Sequence, residues 1–199
     1  MRRLVILAVW LAAATFVAAQ QSPGEQTANE GRAQEKFVSG GIVRMHLEAG
    51  DYAIEGSDSS DIVVDYSAKN SDQLKDIRVS IRTSGSKAEL SVKGTPHNDF
   101  HATIKVPRVS NLWARLSAGD LRIKGVEGDK DVESHAGDVD IQVGNPEDYG
   151  HRDASVTAGD IDASAFNVST GGLWRSFRQD GSGKYRLHVH LMAGDVTLR

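Results

Sequence analysis

"HAGDVDIQVG", residues 135–144, sets the phrase Ala-Gly-Asp among alternating apolar residues, and the phrase recurs along the chain. Five copies align: MHLEAGDYAIEG (45–56), ARLSAGDLRIKG (114–125), VESHAGDVDIQV (132–143), SVTAGDIDASAF (155–166) and HLMAGDVTLR (190–199). Internal repetition is read before local propensity, because it governs the whole fold. In the first copy Val43, Met45 and Leu47 are odd-numbered, whereas Tyr52 and Ile54 are even. In the second, Leu112, Ala114 and Leu116 are even, whereas Leu121 and Ile123 are odd. Side chains alternate faces along a strand, so apolar residues of one parity mark a half-buried strand. The parity changes at every Gly-Asp, so two successive residues point outward there and the chain must turn.

The turns are Gly50-Asp51, Gly119-Asp120, Gly137-Asp138, Gly159-Asp160 and Gly194-Asp195. Glycine accepts positive φ at no steric cost, and an aspartate carboxylate can take hydrogen bonds from nearby backbone N–H groups. The preceding alanine is expected at a crowded inward site. Two all-β architectures obey the parity rule. Gly-Asp can be the two-residue loop of a hairpin, giving an antiparallel β-meander or roll. Or it can be the corner of a β-solenoid, a right-handed parallel β-helix-like stack of short strands with successive copies in register up one edge. Spacing favours the solenoid: Ala118 to Ala136 is 18 residues and Ala136 to Ala158 is 22, close to the roughly 20-residue coils of stacked repeats. The 69 residues from Ala49 to Ala118 would hold about three coils with diverged corners, with "DIVVDYS", "IRVSIRTSGS" and "AELSVKG" as their strands.

The signal-like start, "GGIVRMHLEAGDYAIEG", "FHATIKVP" and the close "GSGKYRLHVHLMAGDVTLR" resemble a bacterial family of putative-adhesin domains of unknown function. The resemblance covers residues 37–199. It implies an exported β-solenoid-like domain with repeated Gly-Asp-hydrophobic strands, and it says little about activity.

The ends and the bulk composition bound the rest. MRRLVILAVWLAAATFVAAQ has a basic start, an apolar run from Leu4 to Val17, and small residues at Ala18 and Ala19. This reads as a secretory signal peptide, residues 1–19, cleaved near Ala19. Its run is shorter than the about 20 residues a spanning helix needs, and no later segment approaches that, so no membrane span is expected in the mature chain. Residues 20–36 are polar and aperiodic and read as a flexible linker; residues 37–199 read as one β-repeat domain. The chain has no cysteine, so no disulfide can form in the periplasm or outside the cell. Cleavage removes Arg2 and Arg3 but no acid, leaving the mature chain two units more negative than the whole chain's −4. Acids and bases are interspersed, which argues against a nucleic-acid partner.

Constellations with chemical potential are sparse. Asp120, Asp138, Asp160 and Asp195 could stand in a row at stacked corners, but each corner offers one carboxylate where calcium takes six to eight oxygens, so they read as turn formers. His188 and His190 face outward together, with His135 near a corner, and no carboxylate is patterned around them in sequence; they read as surface residues rather than zinc ligands. His97 and His101 flank a loop. Asp58, Asp61, Asp129 and Asp131 sit in polar turns. No G-x-S-x-G elbow and no cysteine nucleophile exists. The expectation is therefore no catalytic residues, no metal and no cofactor.

The largest departure from the repeat is "TGGLWRSFRQDGSGKY", 170–185, which joins Trp174, Arg175, Phe177 and Arg178 in a glycine-bracketed loop. Aromatics interleaved with arginine suit a sugar or protein surface. A loop over the end of a stack would equally cap apolar rungs. The resulting expectation is an exported, non-catalytic, adhesin-like module of the cell envelope, whose partner is a glycan or an envelope protein. The alternatives are a carbohydrate-active enzyme (polysaccharide lyase or hydrolase) on the same scaffold and a purely structural envelope protein.

Overall fold

The computed structural model describes residues 29–96 and 98–199. The signal peptide, the first part of the linker and His97 lie outside the described residues. The described chain is all-β apart from a short helix, α1 (Ser71–Asp76), and two single-turn 3-10 segments.

The apolar parity produces two wings that meet at the Gly-Asp corners. Before the corners run β2 (Ile42–Leu47), β6 (Lys87–Lys93), β8 (Asn111–Leu116), β10 (Lys130–Ala136) and β14 (Tyr185–Ala193). After them run β3 (Asp51–Ser57), β7 (His101–Pro107), β9 (Leu121–Lys124), β11 (Val139–Ile141) and β15 (Val196–Leu198). Strand β12 (Tyr149–Ala163) passes through its own corner and belongs to both wings. The copies are parallel and in register. Met45 pairs with Ala114, Ala114 with Val132, Val132 with Val189, and Val189 with Ala154. Beyond the corner Ile54 pairs with Ile123, Ile123 with Ile141, and Ile141 with Leu198. These ladders are almost wholly buried and form the core. Leu121, Ile123, Val139 and Ile141 all point inward, as the parity requires.

Each corner is knitted to the next by backbone and by carboxylate. The N–H groups of Gly50, Gly119, Gly137 and Gly194 donate to the carbonyls of Ala118, Ala136, Ala193 and Ala158, each at 3.0 Å. Asp120 Oδ1 accepts from Asp138 N at 3.2 Å, Asp138 Oδ1 from Asp195 N at 2.9 Å, and Asp195 Oδ1 from Asp160 N at 2.8 Å. Asp160 Oδ1 then accepts from Gly172 N at 3.1 Å. The aspartate thus satisfies a donor on the neighbouring rung, where a turn would otherwise leave it unpaired. All five corner glycines have positive φ. A Cβ on Gly137 would stand 2.1 Å from the Gly119 carbonyl oxygen, so close stacking itself excludes a side chain.

Five expectations need correction. The strands flanking each Gly-Asp pair with other copies, so the corners are not hairpin loops. The copies do not stack in chain order: β14 and β15 lie between β10–β11 and β12, so the fifth copy separates the third from the fourth. The long gap supplies one diverged rung, β6–β7, whose corner has opened into residues 94–100, rather than three coils. The other strands of that gap, β4 (Asp61–Ser67) and β5 (Arg78–Ser84), are antiparallel additions to β7 and β6. Residues 30–36, read as linker, form β1 (Glu30–Lys36) against β4. Finally, the corner alanines are half-buried or exposed rather than core, because the chain has already begun to turn at them.

The antiparallel strands finish the edges. β1 and β5, at the two ends of the sheet, lie against each other, so the mixed sheet nearly closes into a barrel. At the last rung β13 (Val168–Asp180) runs antiparallel along the whole of β12.

Candidate functional site

The outward side chains of the wing before the corners fall into rows, because parallel register places equivalent positions side by side. One row runs Asp153, His188, Asp131, Trp113 and Arg44; the next runs Ser155, His190, Glu133, Arg115 and His46. Five of the chain's seven histidines stand on this face: His46, His135, His151, His188 and His190.

The face is internally bonded. Asp180 Oδ1 meets His151 Nδ1 at 2.7 Å, His151 Nε2 meets Asp153 Oδ1 at 3.2 Å, and Asp153 Oδ2 meets His188 Nδ1 at 2.6 Å. On the next strands Arg115 reaches Asp131 at 2.8 Å and Glu133 at 3.0 Å. The same guanidinium stacks 3.8 Å from the centre of the Trp113 ring, whose edge meets His46 at 5.1 Å between centroids. Arg115 is a fork that fits two carboxylates while its flat face covers indole, a double use open to arginine and not to lysine. Beside this cluster lies an open depression of about 380 Å³, lined by His46, Glu48, Lys93, Glu133, His135 and Met192 among others. A larger depression of about 550 Å³ on the other wing has its charges matched locally, Arg32 by Asp65 at 3.0 Å and His101 by Asp51 at 3.2 Å.

The structure places the sequence candidates unequally. The corner residues are structural, as described above. Trp174, Arg175, Phe177 and Arg178 lie on β13, an edge strand and not a loop; twelve of its residues pair with β12, which the sequence hid because its glycines suggested irregular chain. Phe177 turns in against Phe166, 6.2 Å between ring centres, so it helps cover the last rung. Arg175 bends back to donate to the Gly171 carbonyl at 2.6 Å. Trp174 remains 79% exposed, with a positive φ, beside Leu173 at 65%. The pairing of β12 with β13 passes over it, between Arg175, opposite Val156, and Leu173, opposite Ala158.

His188 corrects the sequence reading most sharply. Asp131 and Asp153, distant in sequence, are its partners on the two flanking strands. Asp131, read as a solvated turn residue, is part of the cluster, and Glu133, Arg115 and Trp113 were not singled out at all. The only sequence signal for them was their outward parity.

Two inward positions of β10, Lys130 and Ser134, break the apolar ladder, and Lys130 is the charged one. Lys130 pairs with Leu112 and Leu187 and is 1% exposed. Its ammonium donates to the Tyr149 hydroxyl and, at 3.3 Å, to the Gly128 carbonyl. Burial pulls this amine down from its ordinary 10.5 to about 8, against the opposing charges of Asp129 and Glu127. Between these two values the unfolded chain holds a proton that the folded chain has released, so stability rises with pH. The expected gain from about pH 8 to 10 is about 2 kcal/mol. Above about pH 10 the buried hydroxyls of Tyr149 and Tyr52, pushed up by desolvation, act in the opposite sense. Urea unfolding across this range should show the rise in the wild type and a flat profile in Lys130→Met; a flat wild-type profile would contradict it.

No described helix is long and apolar enough to cross a membrane. No family model matches the sequence, and no curated protein matches it. Among solved structures, a Clostridium sporogenes protein described as a "putative cell adhesion protein" is 14% identical, with a TM-score of 0.52 over 85% of this chain and 98% of that one. A Bacteroides fragilis "putative adhesin" is 11% identical, TM-score 0.31, over 87% and 98%. A Parabacteroides distasonis "putative lipid binding protein" is 12% identical, TM-score 0.27, over 85% and 60%. At these identities the first likeness is one of fold: this chain shares its all-β architecture with a protein described as adhesive.

Proposed function

We propose that this chain is an exported, non-catalytic, adhesin-like binding module of the cell envelope, built on a solenoid-like stack of rungs and contacting glycan through the wing before the corners. The observation that carries this reading is Trp174, held out to solvent beside the exposed Leu173 on the edge strand β13. Large aromatic and aliphatic side chains left bare together on an edge strand are the usual anatomy of a contact surface. The depression is shallow and the charged groups beside it are tied to one another, an arrangement that suits recognition better than turnover. The resemblance to adhesin domains supports the same reading, and so does the signal-like N-terminus for export.

Trp174→Ala, with fold retention verified by circular dichroism, tests the reading on a glycan array and in pull-down from cell envelope. At least tenfold weaker retention is expected, the scale of a central aromatic anchor. Unchanged retention by a folded mutant would overturn the contact surface, and an unfolded mutant would make Trp174 part of the cap. Release of reducing ends from a polysaccharide panel would instead establish the enzyme alternative.

A further inference from the structure

We infer that His188, Asp131 and Glu133 form a binding site for a divalent transition-metal ion of the zinc type. One ligating atom from each of the three lies within 4.8 Å of the others. In a tetrahedral zinc site with bonds of 2.0–2.1 Å the ligand atoms are about 3.3 Å apart, so small side-chain rotations bring these three into place. The backbone supplies the rest, since β10 and β14 are parallel, His188 is directly opposite Asp131, and Glu133 is opposite His190.

Two features distinguish this cluster from ordinary surface charge. First, Asp153 takes His188 Nδ1 at 2.6 Å and is itself only 15% exposed, held on its other oxygen by His151. That fixes the ring and leaves Nε2 for the ion, the carboxylate–histidine–metal relation that orients ligands in many metal sites. Second, Asp131 and Glu133 share one guanidinium, Arg115, while Asp153 has only histidines as partners, so the carboxylates around His188 outnumber the fixed cation beside them. Arg115 approaches one oxygen of each ligand carboxylate, and the second oxygen of each stays available. Asp131 Oδ1, the oxygen that faces Arg115 at 2.8 Å, is shut off from solvent, which leaves Oδ2 to the ion. Arg115 and Asp153 are accordingly positioning residues, and water completes the coordination. One imidazole with two carboxylates suits zinc and its first-row neighbours, whereas calcium wants more oxygens than are present. The row of corner aspartates is a different feature, already occupied by backbone N–H groups.

The test is calorimetric titration of zinc chloride into the untagged protein, with calcium chloride as comparison and cobalt(II) absorption as the spectroscopic readout. One zinc per chain is expected, and no comparable calcium binding. His188→Ala and Glu133→Gln, each verified as folded, should weaken zinc at least a hundredfold, whereas His101→Ala should not. Asp153→Asn should weaken it ten- to a hundredfold, the usual effect of losing such a partner, and should shift the cobalt band, with Asp153→Glu restoring both. No zinc uptake by the folded wild type at millimolar metal would overturn the site. So would zinc binding that survives both His188→Ala and Glu133→Gln.

Discussion

Ile141→Asp is expected to leave no folded protein. Ile141 is fully buried between Ile123 and Leu198, in the middle of a ladder with no polar group in it. A carboxylate there must stay ionised in an apolar stack or take up a proton, and either course costs several kcal/mol beyond the lost isoleucine packing. The stability of a domain this size is only about 5–15 kcal/mol, so the sum consumes it. Ile123→Asp, one rung away, should behave alike. Expression followed by circular dichroism and urea titration checks this; soluble, cooperatively unfolding mutants would contradict the inward ladder.

Gly194→Ala tests the corner itself. Gly194 has φ +123°, and a Cβ there would stand 2.2 Å from the Gly137 carbonyl oxygen, part of the backbone of the neighbouring rung. Nothing flexible can give way. Positive φ alone costs an alanine about 1–2 kcal/mol, and the clash forces the rungs apart at a point where each donates a hydrogen bond to the next. The expected loss is about 4 kcal/mol, among the large values that only a named steric or burial mechanism produces. Gly40→Ala is the matched control: φ is +80° but no atom lies within 4 Å of the added methyl, so only the conformational cost of about 1 kcal/mol should appear. Equal losses at the two positions would mean that the corner glycines are needed for their torsion and not for the stack.

The corners and the core were legible because both are local. Alternating parity around Leu121 and Ile123 names the buried residues whichever rung lies alongside, and Gly-Asp announces a turn by its own chemistry. Stacking order was not legible, since the five copies carry the same phrase and nothing in it says which neighbour each prefers. β13 follows β12 after a single 3-10 turn and lies antiparallel against it, while β14 takes the other side between β12 and β10. The site was hidden for the same reason. His188 acquires Asp131 from 57 residues upstream and Asp153 from 35, partners that only register can supply, so a histidine with no patterned acid in sequence has two in space. Lys130 shows the converse: a lysine in a weak copy reads as surface, yet register puts it inside, where Tyr149 receives it.

The stacked, out-of-order corners can be tested by disulfide trapping in a chain that has no cysteine of its own. Asp140 and Thr197 are register partners, and so are Asp162 and Thr197, whereas Asp140 and Asp162 are separated by β15. Adjacent strands lie about 4.8 Å apart and alternate strands about twice that, beyond the roughly 7 Å a disulfide can span between Cα atoms. Oxidation should therefore link the cysteine pairs 140/197 and 162/197 and leave 140/162 open. Efficient closure of 140/162 with failure of both others would show that the copies stack in chain order, and would contradict a fold in which the fifth copy lies between the third and the fourth.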